Sequence, residues 1–147
     1  MIFLVRYFPP LILLLFLVYG TFQIFHDRTI ATVHPIAVIP APAIPGQPAS
    51  VLYQGKENNA CDGVVHRWIV DSKGTPYALD DTSVWHPIEN ASQRTIAFVR
   101  PLVMPPGMSG GTAEYFSQAT RWCNSFQQLL APVHDNYSIK FEVRGAK

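Results

Sequence analysis

The chain has 147 residues, 48% of them hydrophobic and 14% charged, with a formal net charge of +1. That length holds one small domain and an appendage, and the charged fraction lies well below the roughly 25% of an average soluble protein. Acidic and basic residues are mixed with no basic stripe, so nothing in the composition points to nucleic acid as a partner.

The apolar excess is concentrated at the start. Residues 1–25 read MIFLVRYFPPLILLLFLVYGTFQIF, and from Leu11 to Phe25 only Thr21 and Gln23 are clearly polar. With Pro9 and Pro10 at its mouth, where a helix tolerates proline, the run of residues 9–25 predicts a membrane anchor near the lower length limit for crossing the hydrocarbon core. The lipid bilayer is therefore an expected partner through residues 9–25, within an anchor segment 1–28. A competing reading is a cleaved signal peptide, with Arg6 before the apolar core and cleavage near Gly20. Against it, there is no A-x-A site and the apolar run continues past Gly20. One Arg flanks the run on each side, and the N-terminal amine tips the balance toward a cytoplasmic N-terminus. The expectation is a single-pass protein of a bacterial inner membrane with its C-terminal domain in the periplasm. The alternative is secretion.

Residues 29–48 form a proline-rich neck, with five prolines between Pro35 and Pro48. Proline fixes φ, so this stretch predicts a semi-rigid spacer or an edge strand whose second half lies against the domain. From Ala49 to the C-terminus the hydrophobic period is two, the period of a strand. Segments 49–55, 64–71 and 94–100 read as strands. In 64–71, Val64, His66, Trp68 and Val70 share one face, and Val65, Arg67, Ile69 and Asp71 the other. DSKG (71–74) is a hairpin signal, with TPYAL as the return strand. Segment 112–123 is read as a strand for its Tyr, Phe, Thr and Trp content. A short helical turn fits Phe126, Leu129 and Leu130, halted by Pro132. In YSIKFEV (137–143), Tyr137, Ile139, Phe141 and Val143 face a core while Ser138, Lys140 and Glu142 face water. The fold class expected is all-β, an antiparallel sandwich of about seven strands over residues 49–147, preceded by one transmembrane helix.

The PGQP turn (45–48), the VDSKG hairpin (70–74), the MPPG turn (104–107) before a long strand ending in Cys-Asn, and the final IKFEV strand together resemble immunoglobulin-like β-sandwich modules of exported, membrane-anchored bacterial or phage-encoded proteins. The resemblance covers about residues 36–143. It departs from antibody domains, because Trp68 follows Cys61 by seven residues and no tyrosine precedes Cys123 by two. It implies a binding or scaffold role and carries over no catalytic residue.

The two cysteines, Cys61 and Cys123, have three possible chemistries. The histidines at 26, 34, 66, 86 and 134 form no H-x-H, H-x₃-H or C-x₂-C pattern, which disfavours a metal site. No family signature makes either cysteine a nucleophile, although His66 or His134 could approach one in space. A disulfide fits an even count beyond an export segment and would close a loop of about 60 residues.

Trp85, in the loop-like SVWHPIEN, is a candidate interaction residue together with His86 and Tyr77. Trp68 and Trp122 are expected in the core. Asp80 and Asp81 read as solvated loop carboxylates, and GMSGG (107–111) lacks the Gly-Lys-Ser/Thr ending of a phosphate loop. NAS (90–92) and NYS (136–138) are acceptor sequons. No catalytic residue, metal ligand or cofactor is assigned. The expected function is a non-enzymatic interaction or structural module of the cell envelope with another envelope protein as partner. A carbohydrate- or peptide-binding domain around Trp85 is the alternative, and a hydrolase the third reading.

Overall fold

A computed structural model describes residues 2–25, 31–57, 61–84 and 94–145, with the side chains of the first segment described from Pro10 onward. An N-terminal helix, α1 (Ile2–Phe25), precedes eight strands: β1 (Ala31–Ile39), β2 (Pro48–Glu57), β3 (Asp62–Val70), β4 (Pro76–Ala78), β5 (Thr82–Val84), β6 (Arg94–Val103), β7 (Gly111–Trp122) and β8 (Val133–Val143). A second helix, α2 (Ser125–Leu130), lies between β7 and β8.

The strands form two antiparallel sheets. One has the order β1-β2-β6. The other runs β4-β3-β7-β8, and β5 continues the β4 edge by pairing with the first half of β3. The proline-rich neck is therefore part of the sandwich. Its first half is the edge strand β1, in register with β2 from Ala31↔Glu57 to Ile39↔Ser50. Its second half crosses between sheets, through two cis peptide bonds at Ile39–Pro40 and Ala41–Pro42. Ala43 then makes a parallel bridge to Val143, donating to the Glu142 carbonyl and accepting from the Arg144 N–H. That contact closes one side of the sandwich.

Alternation of side chains builds the core, because successive residues of a strand point to opposite faces. Val51 and Tyr53 from β2 meet Ile69 from β3, Ala113 and Tyr115 from β7, and Phe141 and Val143 from β8. Met104 and Met108 fill the end of the core beneath the loop that leads into β7. The core is aromatic and β-branched, as a sheet-on-sheet interior favours. Trp68 departs from expectation. It lies on the outer face of the five-stranded sheet, half-buried and stacked on Phe116 at 5.3 Å, because its position has the parity opposite to Ile69. Trp122, at the end of β7, is also only half-buried.

The two ends of the sandwich are tied differently. At one end Asp71 closes the β3–β4 hairpin. Its carboxylate accepts the N–H groups of Lys73, Thr75 and Ser109 at 3.0, 2.9 and 3.1 Å, and the Tyr77 hydroxyl at 3.3 Å. Gly74 completes the turn at φ +81°, where a side chain would be strained. At the other end Cys61 and Cys123 form a disulfide, just beyond the last Asp62↔Trp122 pair of the β3–β7 ladder. This is a bond between neighbouring strands of one sheet.

α1 forms over the expected residues, but among the described residues no helix is long and apolar enough to cross a membrane. A transmembrane span therefore does not follow from the structure. The last turns of α1 meet α2 and its cap, with Tyr19 against Phe126 and the Gln23 carbonyl accepting from Asn124.

Candidate functional site

The side of the sandwich opposite the Ala43–Val143 bridge is open. There β6, the edge of the three-stranded sheet, stands apart from β4, and a cleft of about 750 Å³ lies between them. Each wall follows from strand parity. Phe98, Arg100 and Leu102 pair with Tyr53, Val51 and Ala49, all inward-facing residues of β2, so they too face the second sheet. From the opposite wall comes Arg67, which shares its face with Ile69 and is only 8% exposed. Two guanidinium groups thus enter one cleft from facing sheets.

The floor is aromatic and polar. The hydroxyls of Tyr53 and Tyr115 lie 2.6 Å apart, and the Tyr53 ring stacks on Phe98 at 5.0 Å. Burial, reinforced by the bond with Tyr53, pushes the Tyr115 hydroxyl far above the usual phenol range. Arg67 donates from Nη2 to the carbonyl of Asp80, a group that the chain leaves outside the ladder as it passes from β4 to β5. Desolvation, and then the nearby Arg67 charge, lower the Arg100 pKa. Leu79, Val99, Val103 and Pro105 line the mouth, with the exposed Asp80 beside them. Guanidinium and protonated phenol groups donate hydrogen bonds and keep their protons at neutral pH. This equipment suits holding a polar group more than moving a proton.

Next to the cleft, the outer face of the three-stranded sheet is unusually apolar. The rows Ala37–Leu52–Val99 and Ile39–Ser50–Pro101 run across it, and Val103 lies at its end. Ile39, Val99 and Val103 are 51%, 58% and 65% exposed. Toward the disulfide end the same face turns polar, through Gln54, Lys56 and Thr95. A solvated sheet face normally carries polar residues, so exposed branched side chains on both edge strands, with the half-buried Leu52 between them, call for a cover.

The residues singled out from the sequence are scattered. Cys61 and Cys123 are joined in the disulfide. Tyr77 is half-buried at the hairpin, its hydroxyl donating to the Gly107 carbonyl at 2.9 Å and lying 3.3 Å from the Asp71 carboxylate; desolvation first, and then the Asp71 charge, raise its pKa. Trp85 and His86 lie outside the described residues. His66 and Asp81 form an exposed pair at 2.9 Å on the outside of the second sheet. Among the described residues no three His, Cys, Asp or Glu side chains gather as a metal site. Of the residues that do converge, Tyr53 and Tyr115 are tyrosines that the sequence offers for a sugar- or peptide-stacking platform, whereas Arg67, Arg100 and the exposed Ile39, Val99 and Val103 were not singled out. The available signal was a charge at an inward parity: Arg67 between Val65 and Ile69, and Arg100 between Phe98 and Leu102.

No protein-family model and no curated protein matches the chain. Several solved structures resemble it at low identity. The alkylpurine DNA glycosylase AlkC of Pseudomonas fluorescens, bound to DNA containing an abasic site analog, is 16% identical at a TM-score of 0.44, over 78% of this chain and 30% of the glycosylase. The C-terminal domain of Wzt is 16% identical at 0.43, over 88% of this chain and 86% of that domain. Spo0M, a sporulation control protein from Bacillus subtilis, is 12% identical at 0.38, over 80% of this chain and 50% of that protein. The chain thus spans less than a third of the glycosylase and half of Spo0M. At these scores the likenesses carry no argument about what this chain does.

Proposed function

We propose that this chain is a membrane-tethered, non-enzymatic interaction module, held at a lipid bilayer by α1 and binding a partner protein on the outer face of its three-stranded sheet. The observation that carries the partner reading is the exposed apolar surface of Val99 and Val103 on β6 and Ile39 across the sheet on β1. A sugar-binding face would instead present aromatic platforms, and the exposed side chains of this patch are aliphatic. Strand addition along β6 is the less favoured mode of docking. Pro101 has no N–H to offer and interrupts the ladder that an added strand needs. The partner therefore packs side chains against the face, and the cleft with Arg67 and Arg100 receives a polar group at the margin.

The tether reading draws on α1. From Leu11 to Tyr19 its residues are exposed on every side, without a polar face. A helix that is apolar all round is unstable in water and belongs in lipid or in a protein core. The Thr21 hydroxyl is already satisfied within the helix, by the carbonyls of Leu17 and Val18 at 2.9 Å. The Cys61–Cys123 disulfide supports an oxidising compartment for the sandwich, hence export. The order β1-β2-β6 facing β4-β3-β7-β8, with a first strand that changes sheets, supports an immunoglobulin-like arrangement.

Photo-crosslinking in native membranes tests the partner surface. A photoreactive residue at Val99 or Val103 should trap one discrete protein, and the same residue at Ser138, on the outer face of β8, should not. Ile39→Lys in the Val99-labelled chain should abolish the adduct. Equal labelling at Val99 and Ser138, or an adduct indifferent to Ile39→Lys, removes the assignment of this face.

A further inference from the structure

α2 carries an apolar face with no role in the sandwich core. Phe126, Leu129 and Leu130 are spaced i, i+3 and i+4, so they share one side of the helix. Phe126 is spent against α1: its ring meets Tyr19 edge-on at 6.3 Å and lies 3.6 Å from where a Cβ on Gly20 would sit. Gly20 is buried by this contact. Leu129 and Leu130 extend the same stripe, yet they are 81% and 62% exposed. The opposite, polar side is fixed to the body of the protein. The Gln127 side chain is fully buried and accepts the Cys123 N–H at 2.8 Å. The Asn124 side chain caps the helix, accepting from the Gln127 N–H at 2.9 Å.

Asn124 Nδ2 and Gln127 Nε2 donate to the Gln23 carbonyl at 3.0 and 3.5 Å, while Phe126 meets Tyr19 and Gly20. Phe126, which shares a stripe with Leu129 and Leu130, is thus the α2 residue that meets α1 next to its apolar stretch Leu11–Val18. With a rise of about 1.5 Å per residue, Leu130 sits roughly 6 Å beyond Phe126. α2 carries no charge, so nothing on it opposes entry into an apolar phase.

We infer that α2 is a second lipid contact: Leu129 and Leu130 enter the bilayer surface beside α1 and seat the disulfide end of the sandwich on the membrane. The occupant is lipid, because the stripe is continuous through Phe126 with the apolar surface of α1. This inference rests on the tether reading above. It adds a fixed orientation to it, in which the apolar patch at Ile39 and Val103 faces away from the membrane.

The test uses the full chain reconstituted into phosphatidylcholine vesicles that contain brominated lipids, which quench indole fluorescence on contact. Three variants each gain a tryptophan: Leu129→Trp, Leu130→Trp and Gln128→Trp, the last on the opposite side of α2. The added emission at 129 and 130 should be quenched, most strongly by bromines placed about 5–10 Å below the headgroup boundary. The added emission at 128 should not be. If the chain floats with the vesicles but 129 and 130 behave like 128, the lipid contact by α2 is refuted and the tether stands. If the chain does not float at all, the tether reading fails and the α2 contact with it. Shielding at 129 that persists in detergent and follows protein concentration would assign the stripe to a second copy of the chain and overturn the proposal.

Discussion

The Asp71 carboxylate gathers three backbone N–H groups and a tyrosine hydroxyl from two separate segments, the β3–β4 hairpin and the loop before β7. Bonds from the Thr75, Ser109 and Lys73 N–H groups favour the ionised form. The Thr75 N–H contributes most, and together they outweigh the opposing effect of burial and hold the pKa down at about 2. A carboxyl group whose pKa is lower in the folded than in the unfolded chain stabilises the fold at pH values above its unfolded pKa, about 3.9, and loses that contribution as pH falls toward 2. Stability should therefore decline between pH 4 and pH 2 in part through this one group. Asp71→Asn keeps the shape but loses the charge on which the short bonds depend. It should lower Tm at pH 7 and flatten the decline below pH 4 relative to the parent, as read from thermal melts at several pH values. Parallel pH curves for the two proteins would show that Asp71 does not set the acid sensitivity.

At the scale of elements, the disulfide and strand parity matter most. Cys61 and Cys123 are 62 residues apart in sequence and sit at the last rung of a ladder already hydrogen-bonded along its length. Closing a loop of that size removes unfolded-state entropy worth about 4 kcal/mol in the chain-entropy model. For a domain of this size each kcal/mol is about 4–8 °C, so Cys61→Ser with Cys123→Ser should lower Tm by about 20 °C. Hydrogen exchange should show the loss starting at α2, whose first turn is held by the Cys123 N–H and the Asn124 cap. A Tm drop of only a few degrees would place the main tie at the Asp71 end instead. Much of this layer was legible in the sequence. The alternation in YSIKFEV and the turn residues of DSKG correctly place β8 and the hairpin, because each is a local signal. The cysteine pairing followed by elimination. The cleft was not legible, because Arg100 becomes an inward residue only through its pairing with Val51, 49 positions earlier, and register between distant strands leaves no mark in either segment alone. The exposed patch was hidden for a related reason: whether Val99 and Val103 face a core or solvent depends on the pairing of β6 with β2, which places them on the outer face of a three-stranded sheet.

Across the whole molecule the two surfaces proposed for membrane and partner lie at opposite ends. α1, α2 and the disulfide share one end, while Ile39, Val103 and the Asp71 hairpin lie toward the other, some 30 Å away by the length of a nine- or ten-residue strand. Among the described residues none of the core cluster comes from α1, whose main contact is with α2 and its cap. The β-domain accordingly has its own interior, to which α1 adds little. A chain starting at Ala31 should keep its near-ultraviolet dichroism and melt within a few degrees of the full protein. It should also lose flotation with vesicles entirely, since the two leucines of α2 expose too little apolar area to hold a domain at a membrane alone. Loss of the cooperative melt on removing α1 would mean that the helix packs as part of the fold, and its exposed apolar surface would then need a protein cover in place of lipid. A shortened chain that folds and still floats would make α2, or a segment beside it, the principal membrane contact.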